Sequence, residues 1–449
     1  MANNKHHVLT SIALLFLAAC QSYSSLPLDA RPDLAKQLRD LDFGPAASTI
    51  DPAYPLTIGA ISVLAVRNNP DLRAARAERG VAAAQVLQAG ILPNPSLNAS
   101  YALLLGGPGT VGAIAASLGQ DVKSLVTLRA KRRTAVAAAE SVDASLIWQE
   151  WQTIGKARLL VVDLVAGERQ RRLLARTLTV LEQRLGRERQ AVAQGNATLI
   201  TLVPALAAVA DLHKQTDDID RQQQTRNQDL DVLLGLAPNV TLQLDERLDL
   251  PPIEPPAVEA LLPTLADRRP DLIALQLGYR SQEEKLRTAI LAQFPALVMG
   301  ATGGRDTSDV RTLGPQITLD VPIFDRNQGN IAVEQATRQK LHDEFTSRIA
   351  TAKAEVQSML ADQALIARQL KALRAEVQRL EADAAQGEAA YRAGNIDMRS
   401  YVDLVAAALA KEQELIAREQ LSLEQQVAIA TLIGAGMPTV AIPRPEASP

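Results

Sequence analysis

The sequence predicts a mainly α-helical chain with a small β part. Three observations carry that prediction. Ala, Leu, Gln, Arg and Glu dominate the 449 residues and aromatic side chains make up only 3%, which suits long packed helices better than a broad globular core. No proline interrupts Val136–Val203 or Ile323–Gly436, so two very long helices are open to the chain. Ahead of each lie two short stretches in which apolar and small polar residues alternate with the period of a strand.

The elements follow in order. Lys5, His6 and His7 give a weakly cationic start, and Val8–Leu17 is a short apolar run. A membrane-spanning helix needs about 20 such residues, so 1–19 reads as a secretory signal. It ends Leu17-Ala18-Ala19-Cys20, and Cys20 is the only cysteine. That tetrapeptide resembles the lipobox of bacterial lipoproteins, which implies a covalent lipid on Cys20, outer-membrane lipid as its partner, and no other cofactor. Gln21 in place of an Asp favours the outer membrane. Residues 20–55, rich in Pro and Ser, are expected to be extended.

The rest of the chain is two copies of one unit. Asn69-Pro70-Asp71-Leu72 returns as Arg269-Pro270-Asp271-Leu272. Leu92-Pro93 pairs with Phe294-Pro295, Asp121-Val122 with Asp320-Val321, Gly195-Asn196 with Gly394-Asn395, and Leu234-Gly235 with Ile433-Gly434. All five share one order and nearly one offset of about 200 residues, as a tandem duplication requires. The first repeat is placed at 56–250, with strands at about 95–122 and a hairpin tip near 195. The second is placed at 264–436, with strands at about 295–321 and a tip near 394. The proline-rich stretch 251–263 is expected to connect them, and 437–449 to form a tail. In each repeat a helix (70–91 and 270–292) precedes the strands. A long helix, a Gly-Asn turn and a shorter helix follow them.

Phe345, Ile349, Ala352, Val356, Met359, Gln363, Ile366, Leu370, Leu373, Val377, Leu380 and Ala384 are spaced alternately four and three. That is a heptad seam, broken only by Gln363. Leu174, Leu178, Leu181, Leu185, Glu188 and Val192 repeat the rhythm in the first copy, with Glu188 as the polar break. A helix of some 60 residues spans roughly 90 Å, a length that suits the gap between two membranes. The strands Ser96–Leu105, Ile114–Gly119, Leu297–Ala301 and Gln316–Val321 have the alternation of a half-lipid, half-water barrel strand. A soluble hairpin pair capping the helices would alternate in the same way. Gly106–Gly112 and Gly303–Gly314 are expected to be the hairpin loops. Four strands cannot close a barrel, since about eight is the minimum. A membrane reading therefore calls for a cyclic oligomer, and three chains would supply twelve strands.

Composition also excludes. One cysteine rules out internal disulfides and iron–sulfur clusters. With His213 and His342 on different helices, a shared metal site is not expected. The net charge of −3 and the absence of a basic stripe argue against nucleic acid. Arg129, Lys131, Arg132 and Arg133 are read as opening the first long helix near lipid headgroups. Trp148 and Trp151 are read as packing in the helical wall. No Ser-His-Asp cluster suggests an enzyme.

These features together resemble the outer membrane factor family, the TolC-like efflux channels. The residues that carry the resemblance are the two Pro-Asp-Leu helix starts, the segment Val321-Pro322-Ile323-Phe324-Asp325, and Tyr391-Arg392-Ala393-Gly394-Asn395 leading to Asp403. The segment Phe324–Asn330 looks more like the heavy-metal resistance branch than the drug branch. The resemblance implies a homotrimer with a 12-strand β-barrel, four strands per chain, continuous with a long α-helical coiled-coil periplasmic tunnel. It implies an outer-membrane channel with no chemistry of its own, passing metal ions or drugs from a periplasmic adaptor (membrane fusion protein) and an inner-membrane RND-type pump. The tips Gln194-Gly195-Asn196 and Ala393-Gly394-Asn395 would dock the adaptor. Asp403 would line the closed aperture, with Tyr391 or Arg392 as its pairing partner. Ser400 stands where some members carry a second acid. A type I protein secretion channel and a non-channel coiled-coil scaffold remain as other readings.

Overall fold

The structure, a computed structural model, describes residues 23–437 except 32 and 49. The signal segment, Cys20, Gln21 and the tail from Pro438 lie outside the described residues. Residues up to Leu34 form a small unit of their own, with no helix or strand in its described part. The remainder of this subsection concerns the second unit, from Ala35 on.

Each repeat begins with a helix whose start is written in the motif. In the first, Pro70 opens α2 (Pro70–Gly90), and the Asn69 side chain caps it by accepting from the Leu72 N–H at 2.9 Å. Proline suits that position because its missing N–H is one the helix leaves unpaired anyway. A shorter helix, α1 (Ile58–Asn68), precedes it. Its Ile58, Ile61, Leu64 and Ala65 fall on one buried stripe. After β1 (Ser96–Ala102) and β2 (Ala113–Asp121) comes α3 (Val122–Ala193), 72 residues and about 108 Å long. Asp121 caps it through the Ser124 N–H. α4 (Val203–Leu234) returns and stops at Gly235, whose φ of +69° suits glycine.

The second repeat follows the same order. After the short helices α5 (Pro255–Leu261) and α6 (Leu265–Arg268), it runs α7 (Pro270–Leu291), β3 (Leu297–Arg305), β4 (Arg311–Leu319), α8 (Gln328–Arg392, 65 residues) and α9 (Met398–Ile433). Here Arg269 stands in place of Asn69. It is buried, it makes a two-pronged pair with Asp271 at 3.0 and 2.8 Å, and it lies 4.8 Å above the Trp148 ring.

The four strands form one antiparallel sheet in the order β1-β2-β3-β4. The two hairpins join through β2 and β3, so the repeats meet in the sheet. Buried residues gather in separate clusters along the helices. One lies around α1, the middle of α3 and the end of α4. Another lies at the hairpin tips, and a third where α5 and α7 meet α8 and the end of α9. The α8 seam supplies Ala352, Val356, Ile366, Leu370, Leu373 and Val377 as buried residues. Gln363 interrupts it with a shielded Oε1 that has no hydrogen-bond partner among the described residues.

Several expectations are corrected. The stretch 35–55 is not simply extended: it holds short 3-10 turns at Leu38–Asp40 and Gly44–Ser48 and buries Leu41. The connector 251–263 contains α5, because Pro255 and Pro256 sit in its first helical turn, where prolines are tolerated. Gly303–Gly314 is mostly strand, with its loop reduced to 306–310. Glycine is needed inside β3, where a Cβ on Gly300 or Gly304 would strike the backbone of β2 at 1.9 or 2.6 Å. Strand β1 ends at Ala102, short of Leu105. Arg129–Arg133 lie two turns inside α3, which opens at Val122 because Asp121 supplies the cap.

Candidate channel wall and tunnel end

The sheet has two unlike faces. Tyr101, Ala99 and Leu97 of β1 pair with Ile114, Ala116 and Leu118 of β2. The row continues through Gly303, Ala301 and Met299 of β3 to Leu313, Pro315 and Ile317 of β4. Leu97, Tyr101, Leu118, Met299, Leu313, Ile317 and Leu319 are all exposed. The other face carries Ser96, Asn98, Ser100, Ser117, Thr302, Thr312, Gln316 and Thr318. Period-two alternation kept in register across four strands gives one apolar and one small-polar surface. Phe294 and Phe324, both exposed, lie in the chain just beyond the helix ends of β3 and β4, and Tyr101 marks the loop end of the apolar face. Aromatic residues at both rims are what a lipid-facing band carries. The outer edges of β1 and β4 have no partner among the described residues. No described helix is long and apolar enough to cross a membrane.

At the opposite end, the two tips turn alike. Gly195 and Gly394 both have φ of +77°. The Asn196 and Asn395 N–H groups reach back to Ala191 O and Ala390 O at 2.8 and 2.9 Å. The Gly195 and Gly394 N–H groups bond Val192 O and Tyr391 O, both at 3.0 Å. This double bond pattern closes a helix through a left-handed residue, and glycine takes that conformation without penalty.

Just above the tips, polar groups lock the first hairpin to the second. Arg184, buried on α3, pairs with Glu388 of α8. Glu388 also holds Arg392 one turn on. The Tyr391 hydroxyl donates to Glu188 of α3. The Tyr391 and Tyr401 rings stack at 5.3 Å, and the Arg184 guanidinium lies 5.8 Å from the centre of the Tyr401 ring. Burial, then the Glu188 carboxylate, pushes the Tyr391 hydroxyl up to about 12. Burial also raises Tyr401.

Within the chain, the residues expected to partner Asp403 are engaged elsewhere. Tyr391 is held by Glu188 and Arg392 by Glu388. Asp403 is exposed and makes no ion pair among the described residues. Ser400 serves as the donor to the helix cap: its N–H bonds Asp397 Oδ1 at 2.8 Å. The Ser400 hydroxyl and N–H together hold the Asp397 carboxyl below its ordinary value. Sequence reading missed Arg184, Glu388 and Tyr401. The only signal was Glu188, which breaks the heptad where a polar partner waits across the interface.

His213 lies 3.5 Å from Glu182, and His342 lies 3.2 Å from Asp343. Among the described residues no three metal-ligating side chains cluster. Trp151 is buried and donates its ring N–H to Thr431 O at 2.9 Å.

Residues 261–435 match the family model described as outer membrane efflux protein. The chain is 25% identical over 380 residues to the cobalt-zinc-cadmium resistance protein CzcC of Cupriavidus metallidurans, covering 79% of this chain and 84% of that one. The match to the outer membrane efflux protein model thus falls on the second repeat. The outer membrane protein OprJ of Pseudomonas aeruginosa is 26% identical over 261 residues, 54% of this chain, and the match spans about half (52%) of that relative. The solved structure of CusC, whose crystals describe folding and transmembrane channel formation, superposes with a TM-score of 0.71 at 16% identity, covering 93% of this chain and 100% of that one. The chain therefore has the TolC-like fold, with one four-stranded sheet and long paired helices.

Proposed function

We propose that three copies of the chain form a passive conduit across the outer membrane, as the exit of a tripartite efflux system. The observation that carries this reading is the sheet. It has four strands, two free edges, and one apolar face backed by a small-polar one. Three such sheets joined edge to edge would close a 12-strand barrel with lipid outside and water inside. The long helices would continue it as a tunnel, and a lipid on Cys20 would add an anchor. The tips at Gly195 and Gly394 would dock a periplasmic adaptor, which links the channel to an inner-membrane pump. The exposed Leu199, Ile200 and Val203 beside the first tip offer apolar contact. Asp403, which makes no ion pair among the described residues, would form a three-fold acidic ring at the narrow end. Its charges would favour cations and repel one another.

The cargo is metal ions or drugs. The metal reading has the wider support, because the CzcC match spans most of both chains. The protein is purified in detergent, its mass measured and its conductance recorded in planar bilayers. Three chains and discrete cation-preferring conductance steps are expected. A monomer without conductance would overturn the reading. Deleting the gene and testing growth on zinc, copper and lipophilic drugs assigns the cargo: sensitivity to drugs alone would reject metals.

A further inference from the structure

At the loop end of the apolar face, one row of the sheet breaks its composition. Tyr101, Ile114, Arg305 and Arg311 stand side by side across β1, β2, β3 and β4. The next rows along this face are Ala99, Ala116, Gly303 and Leu313, then Leu97, Leu118, Ala301 and Pro315. Arg305 and Arg311 are direct cross-strand partners. Like charges in that position repel, so two arginines facing each other call for an anion.

The chain supplies only part of it. Arg305 Nη1 lies 3.6 Å from Asp309 Oδ1, a loose contact. The Arg305 Nε is shielded from solvent and has no acceptor among the described residues. Arg311 is exposed and makes no ion pair among the described residues. The other loop acid, Asp306, uses its Oδ1 on the Ser308 and Val310 N–H groups at 2.8 and 2.9 Å. Nor would a neighbouring copy help. In a closed barrel the free edge of β4 meets β1 of the next chain. No Asp, Glu, Lys or Arg occurs between Gly80 and Gln120, so the loop end of that β1–β2 hairpin brings no charge.

We propose that Arg305 and Arg311 form a binding site for the phosphate of an outer-leaflet lipid headgroup. A phosphate monoester carries close to two negative charges and three acceptor oxygens. Guanidinium forks match it through paired, charge-assisted hydrogen bonds. Tyr101, on the same row, stands where aromatic residues mark the boundary of lipid and water. A lipid fits better than a free ion because the two arginines cap an apolar face. That face extends roughly 25 Å along β3, at about 3.3 Å per residue. Acyl chains cover it and bring the headgroup to the row.

The site rests on the barrel reading above, and its test separates the two. The purified full chain in maltoside micelles is titrated with diphosphoryl lipid A and followed by native mass spectrometry. Arg311→Gln and the double variant Arg305→Gln/Arg311→Gln run beside the wild type, with dephosphorylated lipid A as the control. The wild-type trimer is expected to retain the phosphorylated lipid at least about tenfold more tightly than the double variant does. The dephosphorylated lipid should bind all three proteins equally weakly. If the double variant fails to assemble, Arg311→Gln, at an exposed strand end, carries the test alone with a smaller loss. Equal retention by a trimeric wild type and its variants would overturn this site while leaving the channel intact. Displacement of the lipid by millimolar inorganic phosphate would overturn the lipid assignment. A wild type that never assembles would defeat the barrel reading itself.

Discussion

The two hairpin tips share one turn geometry, and they differ in what they bury. Up to the Gly-Asn pair they superpose in dihedral angle and hydrogen bonding. Beyond it, position by position, they part. Leu199 is 74% exposed, while its counterpart Met398 is 5% exposed. Val203 is 57% exposed and Val402 5%. Leu202, buried, is matched by Tyr401, which stacks on Tyr391. Pro204 is matched by Asp403. The cause lies in the packing. α9 runs against both α8 and α3, whereas α4 packs chiefly on α3. A turn is a local structure that its own glycine enforces. The exit from a turn depends on which neighbour covers it, so the two tips share the first and differ in the second.

The sharpest way to break this comparison is to truncate matched side chains. Met398→Ala is expected to cost about 2–5 kcal/mol, the range for emptying a buried apolar site. Leu199→Ala should stay within about 0.5 kcal/mol, as exposed substitutions do. Chemical denaturation of the two variants reads the difference directly. Equal losses would mean that the first tip is covered too, and the asymmetry would vanish. Tyr401→Ala should fall with Met398→Ala, at about 3–5 kcal/mol. Next comes the lock between the hairpins. Arg184→Met keeps the apolar stem but leaves Glu388 with Arg392 alone. A loss of about 1–3 kcal/mol is expected, typical of a hydrogen bond to a charged partner. Amide exchange should quicken at both tips, because Arg184 joins one to the other. Quickening at one tip only would show that the link is not shared.

The turns themselves predict equality. Gly195→Ala and Gly394→Ala each force a Cβ into the left-handed region, at a cost of about 1–2 kcal/mol. Neither added Cβ meets a neighbour within 4 Å, so the strain is the whole effect and should match. Unequal costs would sharpen the comparison by showing that the tips differ even in the turn.

How legible this was in the sequence follows the same division. Motifs enforced by local chemistry could be read: the Pro-Asp-Leu helix starts, the Gly-Asn turns, the seam of α8, the alternation of the strands. Groups defined by what lies across an interface could not. Nothing near Arg184 in the chain announces Glu388, 204 residues away, or the two tyrosines. Gly304 looked like a loop residue because the backbone of β2 that crowds it, at Ile114, is 190 residues distant. The helix hidden in the connector was missed because proline usually ends helices, yet it also starts them.

The smallest expected effect concerns the caps. Asp397 accepts the Ser400 N–H and so closes the start of α9. Its counterpart Thr198 makes no side-chain cap bond. Asp397→Ala should therefore speed amide exchange at Ser400 several-fold, in line with the loss of one N-cap, while Thr198→Ala leaves Thr201 unchanged. The charge state adds a second handle. The Asp397 carboxyl is held below its ordinary value of 3.8 because the Ser400 hydroxyl and N–H bond its ionised form. A depressed carboxyl contributes stability above the unfolded value and loses it as pH falls through the folded one. The wild type and Asp397→Ala should thus differ in Ser400 exchange at neutral pH and converge once the pH drops well below 3.8. A difference that persists unchanged into acid would show that the Asp397 side chain acts there by packing instead of by its charge, and the contrast between the two exits would then need another cause.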